Sequence, residues 1–349
     1  MKRLLLAARE LLGRAFVAIE KRPLVVVFVA AGATVATSLA LASSAGWPQF
    51  LHRVNAPHSW RWLAVCLAGE LVAYLGYVLT IRDMARVDDG PEMDLALSTK
   101  TVIAGFGVFA ATRSSGGFAV DYWAFRRAGA GRRDAAGRVL ALGFLEYAVL
   151  GIAALVASAV LYLRLDGHAS NAMTLPSLTI IPLFVLALWV TSPKRVRRLS
   201  RTDRTAGWVR QTFADSVRGA ANVRTLLASP REHGVGVVGS GLYWAGDILC
   251  LWAALQLVGG HKVTVAALVL AYTGGYILTR RALPAGGAGF VEVALTFALV
   301  AVGVHFVPAL IGVLVYRLFN FWLPIVPALV LSPTIRDLRS RFGGTRRTT

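Results

Sequence analysis

Residues 95–127 read LALSTKTVIAGFGVFAATRSSGGFAVDYWAFRR, and the way this stretch meets the membrane decides the fold. An apolar run over 95–112 stops at Arg113-Ser114-Ser115-Gly116-Gly117. A shorter apolar stretch carrying Asp121 then closes on Arg126 and Arg127, with Arg132, Arg133 and Arg138 just beyond. Lys and Arg collect in the short cytoplasmic loops of membrane proteins. Strict alternation from a cytoplasmic N-terminus would leave these five arginines outside. The conflict disappears if residues 95 to about 125 form a re-entrant hairpin that enters from the cytoplasm, breaks at the glycines and returns to the same face.

Upstream, residues 1–22 place Lys2, Arg3, Arg9, Arg14, Lys21 and Arg22 around Leu4, Leu5, Leu11, Leu12, Phe16 and Ile19 at helical spacing. That is the pattern of an interfacial basic helix on the cytoplasmic face. The run 23–42 is long enough to span, and the long basic region before it marks an uncleaved first span rather than a signal peptide. Further apolar runs lie near 62–81, 139–163, 177–191, 234–257, 263–279, 291–304 and 308–331. The basic loop 192–233, with an amphipathic helix through Val209, Phe213, Val217, Ala220 and Leu227, should be cytoplasmic, as should the basic tail 332–349. By the same alternation the segment 263–304 starts and ends outside, broken at Arg280 to Gly289.

The composition agrees. Hydrophobic residues make up 56% and charged residues 16% of 349, the mean hydropathy is +0.61, and a span needs about 20 apolar residues. The expected fold is an all-α polytopic membrane protein of roughly seven to eight spans, residues 1–349 forming a single transmembrane domain. A soluble catalytic domain has no room, so the chain is not expected to be an enzyme. Thirty-seven Lys and Arg face 18 Asp and Glu, a net +19, and the excess sits in short segments between apolar runs. That placement suits anionic phospholipid as a partner and argues against nucleic acid. Cys66 and Cys250 lie inside apolar runs, no Cys/His cluster has metal spacing, and no phosphate-binding loop is present. No metal and no cofactor are expected.

The two broken elements enter from opposite faces, which is the layout of an inverted repeat. The sequence echoes it. Gly69-Glu70-Leu71 is matched by Gly246-Asp247-Ile248, and Thr112-Arg113 with Gly116-Gly117-Phe118-Ala119-Val120-Asp121 is matched by Thr279-Arg280 with Gly286-Gly287-Ala288-Gly289-Phe290-Val291-Glu292.

An ionisable side chain inside a span costs about 2.5–3.5 kcal/mol on insertion scales, so one that persists faces a cavity or a partner. Glu70, Lys100, Glu146, Asp247 and Arg317 lie within apolar runs; Arg113, Asp121, Arg280, Arg281 and Glu292 flank the breaks. One reading is that these charges pair and only lock helices together. The other is that the cations hold an anionic head group: a guanidinium fits phosphate bidentately, and a helix starting after Gly286, Gly287 and Gly289 offers backbone donors at its positive end. Arg317, Arg280, Arg281 and Arg113 would then be head-group ligands. Glu292, in the head-group site, and Glu70 and Asp247 would balance those cations, bind a cationic head group or relay a coupling proton, and Glu146, Asp121 and Lys100 would complete an intramembrane charge set. Tyr74, Tyr77, Tyr243, Trp244 and Tyr272 are read as core packing.

Leu283-Pro284-Ala285-Gly286-Gly287-Ala288-Gly289-Phe290-Val291-Glu292, followed by Tyr316-Arg317, resembles the signature of the lysylphosphatidylglycerol synthase transmembrane family, a Pro-x-Gly-Gly-x-Gly-x-x-Glu turn and then a Tyr-Arg helix. The first half agrees more loosely. Arg113 to Gly117 holds the break and Glu146-Tyr147 the place of a Glu-Arg pair, but the break lacks the family's Pro and Glu. The resemblance implies a polytopic, flippase-like domain of the bacterial inner membrane that moves lipids between leaflets; the buried charges make a phospholipid with a charged head group the expected cargo, and the basic ends of the chain put the N- and C-termini in the cytoplasm. In this stand-alone form any lipid-modifying synthase would be a separate enzyme. Two alternatives stay open: a membrane scaffold for such an enzyme, recruited through the 192–233 loop, and a polyprenyl-phosphate-dependent transferase.

Overall fold

The computed structural model describes residues 23–55, 59–111, 115–165, 171–192, 217, 219–226, 229–259, 263–276 and 284–342. No strand occurs among them. Five helical stretches are long and apolar enough to cross a membrane: Val25–Ser44, Arg61–Arg86, Arg132–Tyr162, Arg231–Leu257 and Phe306–Val330. Three shorter apolar stretches, Leu95–Gly107, Val265–Gly275 and Phe290–Ala301, accompany them. The chain is a multi-pass, all-helical membrane protein. The seven to eight spans expected correspond, among the described residues, to five long elements and three short ones.

In chain order the helices are α1 (Pro23–Ala45), α2 (Trp47–Val54), α3 (Arg61–Arg86), α4 (Leu95–Ala111), α5 (Ser115–Ala128), α6 (Arg132–Tyr162), α7 (Ile180–Val190), α8 (Pro230–Leu257), α9 (Val265–Tyr276), α10 (Phe290–Ala301), α11 (Phe306–Arg317), α12 (Ile325–Val330) and α13 (Ser332–Phe342). The short helices gather at the two breaks. α4 packs on α5 and α9 packs on α10, while the connections at 112–114 and 277–283 lie outside the described residues. The interfacial helix expected over 1–22 and most of the 192–233 loop also lie outside them. Residues 219–226 of that loop are helical, overlapping the amphipathic helix expected there.

The centre of the molecule is an antiparallel seam between α3 and α8. In lipid, helices associate where small residues let backbones approach, and here the small residues recur every seven positions, on one face of each helix. Gly69 meets Gly246 and Gly76 meets Gly239: a Cβ on Gly76 would stand 2.4 Å from the Gly239 carbonyl oxygen, and one on Gly69 2.6 Å from that of Gly246. No larger residue fits either crossing. The Thr80 hydroxyl donates across the seam to the Gly236 carbonyl (3.1 Å), and the Asp83 carboxylate accepts the Gly236 N–H (2.7 Å).

Arg138 proves not to be a loop charge. It is buried on α6, where its guanidinium donates to the carbonyls of Met84 (2.6 Å) and Val87 (2.8 Å) and so caps the C-terminus of α3. The last apolar run is not one continuous helix either. After Arg317 the chain makes a π-helical turn over Leu318–Trp322 before α12 begins.

Candidate functional site

Gly286, Gly287 and Gly289 all carry positive φ (58°, 69° and 86°), backbone that only glycine adopts without strain. The Pro284–Gly287 turn can therefore fold tightly and deliver Gly289 as the N-cap of α10. At Gly286 a second constraint applies, since a Cβ there would lie 2.3 Å from the Phe321 ring. Glu292, third residue of α10, folds back so that Oε2 accepts the Gly289 N–H (2.7 Å), satisfying one of the orphan donors of the helix start.

The other oxygen of Glu292 meets Arg317. Arg317 Nε donates to Glu292 Oε1 at 2.9 Å, a terminal nitrogen donates to the Gly286 carbonyl at 3.2 Å, and the guanidinium stacks over the Phe321 ring at 4.2 Å. Both members of the ion pair are essentially sealed, with side-chain exposures of 1% and 0%. Thr34, midway along α1, donates to Glu292 Oε1 (3.4 Å). Two of the five N–H groups of Arg317 are used in these bonds. The Glu292 carboxylate thus rests on a guanidinium and on the positive end of α10, a position with the donors that an oxyanion requires.

One residue earlier, the same helix serves a second carboxylate. Tyr316 donates to Asp247 Oδ1 (3.1 Å), Asn320 on the π turn donates to the same oxygen (2.6 Å), and Tyr272 donates to Oδ2. Glu70 lies within hydrogen-bonding reach of Asp247 across the glycine seam. Tyr316 and Asn320 therefore serve Asp247 while Arg317, stacked on Phe321, serves Glu292, two pairs at helical spacing that make the clusters neighbours.

The first half holds a sparser group. Asp121 is buried on α5 and accepts the Tyr77 hydroxyl (3.1 Å). Glu146 is buried on α6, where its backbone carbonyl accepts Trp244 Nε1 (2.8 Å). A file of rings joins the halves: Tyr77 to Tyr243 (5.5 Å), Tyr243 to Trp244 (4.7 Å), Trp244 to Tyr272 (6.0 Å) and Tyr272 to Tyr316 (6.4 Å). Read from sequence as packing, Tyr77 at one end of this file and Tyr272, next to Tyr316 at the other, also present hydroxyls to the carboxylates of Asp121 and Asp247.

Among the residues singled out from sequence, the structure brings together Arg317, Glu292, Gly286 and Gly289 in one cluster and Asp247 with Glu70 in its neighbour. Lys100 joins neither, being exposed on α4. Arg113, Arg280 and Arg281 lie outside the described residues. Sequence reading gave no role to Thr34, Asn320 and Phe321, and took Tyr316 only as part of the Tyr-Arg signature. Asn320 carried a usable signal, an amide inside an apolar run three residues from a buried arginine.

The described residues contain no group of three or more His, Cys, Asp or Glu able to hold a metal ion. A family model described as lysylphosphatidylglycerol synthase TM region matches residues 23–328. No curated protein matches the chain.

Proposed function

Because the chain belongs to the lysylphosphatidylglycerol synthase transmembrane family, a lipid-related membrane family matched over residues 23–328 of 349, we propose that it moves a phospholipid with a charged head group between leaflets. The observation that carries this reading is the Arg317–Glu292 pair at the second broken element. An anion already occupies the position, and that anion is a side chain on a helix whose start is held by glycines. A lipid phosphate entering there would take the guanidinium and the Gly289 N–H from Glu292, and the displaced carboxylate would need a proton or a cationic group, such as an aminoacyl head group. Exchange of one anion for the other makes the site able to release what it binds.

The inverted repeat belongs to this proposal. Glu70 and Asp247 follow Gly69 and Gly246, the echoing glycines that touch across the α3–α8 seam, as equivalent residues would at a two-fold axis in the membrane plane. On this reading residues 95 to about 125 are re-entrant from the cytoplasm, both termini are cytoplasmic, and the protein sits in the bacterial inner membrane. The chain transports rather than catalyses, and a lipid-modifying enzyme, where one takes part, is a separate partner.

Native mass spectrometry of the gently purified protein tests the site. Wild type should retain one more phospholipid molecule per chain than Arg317→Ala. Equal retention by both would move the head group elsewhere, and no selective lipid in either would favour the scaffold reading, with the buried charges as structural pairs.

A further inference from the structure

α11 runs from Phe306 to Arg317, so its start lies about 16 Å along the axis from the Arg317 backbone at 1.5 Å per residue, roughly half the hydrocarbon thickness. A cavity of about 1010 Å³ opens at that start, lined by Ser44, Gln49, His52, Arg53 and His305 together with the first turn of α11. Its polar lining is donor-rich. Among the described residues that line it there is no carboxylate.

Three features converge on this space. His52 and Arg53 occupy the last turn of α2, where the helix C-terminus favours cations. The first turn of α11 brings the backbone N–H groups of Phe306 and Val307, Pro308 having none, and its N-cap His305 makes no side-chain capping bond. Gly259, with φ +125°, leaves the room that the Arg53 guanidinium fills, since a Cβ there would stand 2.5 Å from an Arg53 nitrogen. Trp47, edge-on to Phe50 at 6.2 Å and 42% exposed, marks α2 as a helix at interface depth. A guanidinium beside two imidazoles repels a metal cation. The cavity is large enough for a glycerophosphate head group.

We propose that this cavity is a second anion site, a docking site for a phosphate-type oxyanion at one membrane face, half a membrane from Arg317. It deepens the transport reading and rests on it for its role, though not for its binding chemistry. That chemistry, guanidinium, imidazole and helix N–H donors around a phosphate, is shared by a lipid phosphodiester and by free inorganic phosphate.

The experiment uses the delipidated full chain carrying Arg317→Met with Glu292→Leu, so that the buried site is silent and no charge is stranded, titrated with phosphatidylglycerol and with inorganic phosphate by native mass spectrometry and ³¹P line broadening. Phosphatidylglycerol should still bind, inorganic phosphate should compete, and Arg53→Gln with His305→Gln should weaken binding at least tenfold, while Arg53→Lys keeps most of it. Binding of phosphatidylglycerol alone would assign the site to lipid, and binding of inorganic phosphate alone to the free ion. Should the double variant fail to fold, His305→Gln alone is expected to weaken binding several-fold. No binding of either probe, or binding indifferent to Arg53 and His305, overturns the proposal. If wild type and Arg317→Ala retain lipid equally but phosphate binding still depends on Arg53, the buried-site reading fails and this one stands.

Discussion

Arg317 has a neutralising partner, a carbonyl to donate to and an aromatic ring beneath it, and this economy makes Glu292 the residue to change. Removing one member of a buried ion pair strands the other charge, at a cost of about 3–5 kcal/mol, whereas replacing both by apolar residues is often neutral. Glu292→Ala should therefore destabilise the protein by about 3–5 kcal/mol in denaturant melts. Arg317→Met with Glu292→Leu should recover most of that loss. A double variant as unstable as the sum of the singles would show that the two side chains are not coupled. Neither the pairing nor the partner at Thr34 could be read from sequence. Arg317 and Glu292 were legible as costly intramembrane charges, but which carboxylate meets which cation depends on how α10 packs on α11, which no local pattern announces.

The α3–α8 seam sets the distance between the two halves at the scale of the element. Gly76→Val must push the Gly239 carbonyl away, so it should lower stability by roughly 1–3 kcal/mol or more. Gly241→Ala, on α8 two residues from Gly239 but with open space around its Cβ position, should leave the melt unchanged or raise it. Equal effects of the two would mean that the close approach does not hold the seam. Arg138→Ala should free the last turn of α3, each lost charged hydrogen bond being worth about 1.5–3 kcal/mol, and should speed tryptic cleavage at Arg86. Here sequence and structure part company for a physical reason. Charge counting treats every arginine after a break as a loop arginine, whereas Arg138 is buried because the carbonyls at the end of α3 need donors.

Across the whole molecule, the long apolar helices and the turn at Gly286 to Gly289 were legible because hydrophobic runs and glycine clusters are properties of contiguous sequence, whereas Ser115, Gly116 and Gly117, expected as a break, lie in the first turn of α5. The aromatic file linking Asp121 to Asp247 was not legible, since it joins residues of α3, α8, α9 and α11. Topology is the scale at which the re-entrant reading is tested. With the buried Cys66 and Cys250 replaced, Asp94→Cys and Gly129→Cys should react with an impermeant thiol reagent from the same side of the membrane, and Thr264→Cys and Gly303→Cys from the other. Labelling of Asp94→Cys and Gly129→Cys from opposite sides would make α4 and α5 a simple crossing and remove the inverted repeat.

Translocation of a fluorescent-labelled phospholipid in proteoliposomes, read by dithionite quenching of the outer leaflet, tests the central claim most directly. Wild-type protein should equilibrate the label between leaflets, Arg317→Lys should retain a reduced rate, and a folded Arg317→Met/Glu292→Leu variant should fall to the rate of protein-free vesicles. Full-rate movement by that double variant, or none by wild type across phospholipids of differing head group, would contradict a transport role for the buried pair.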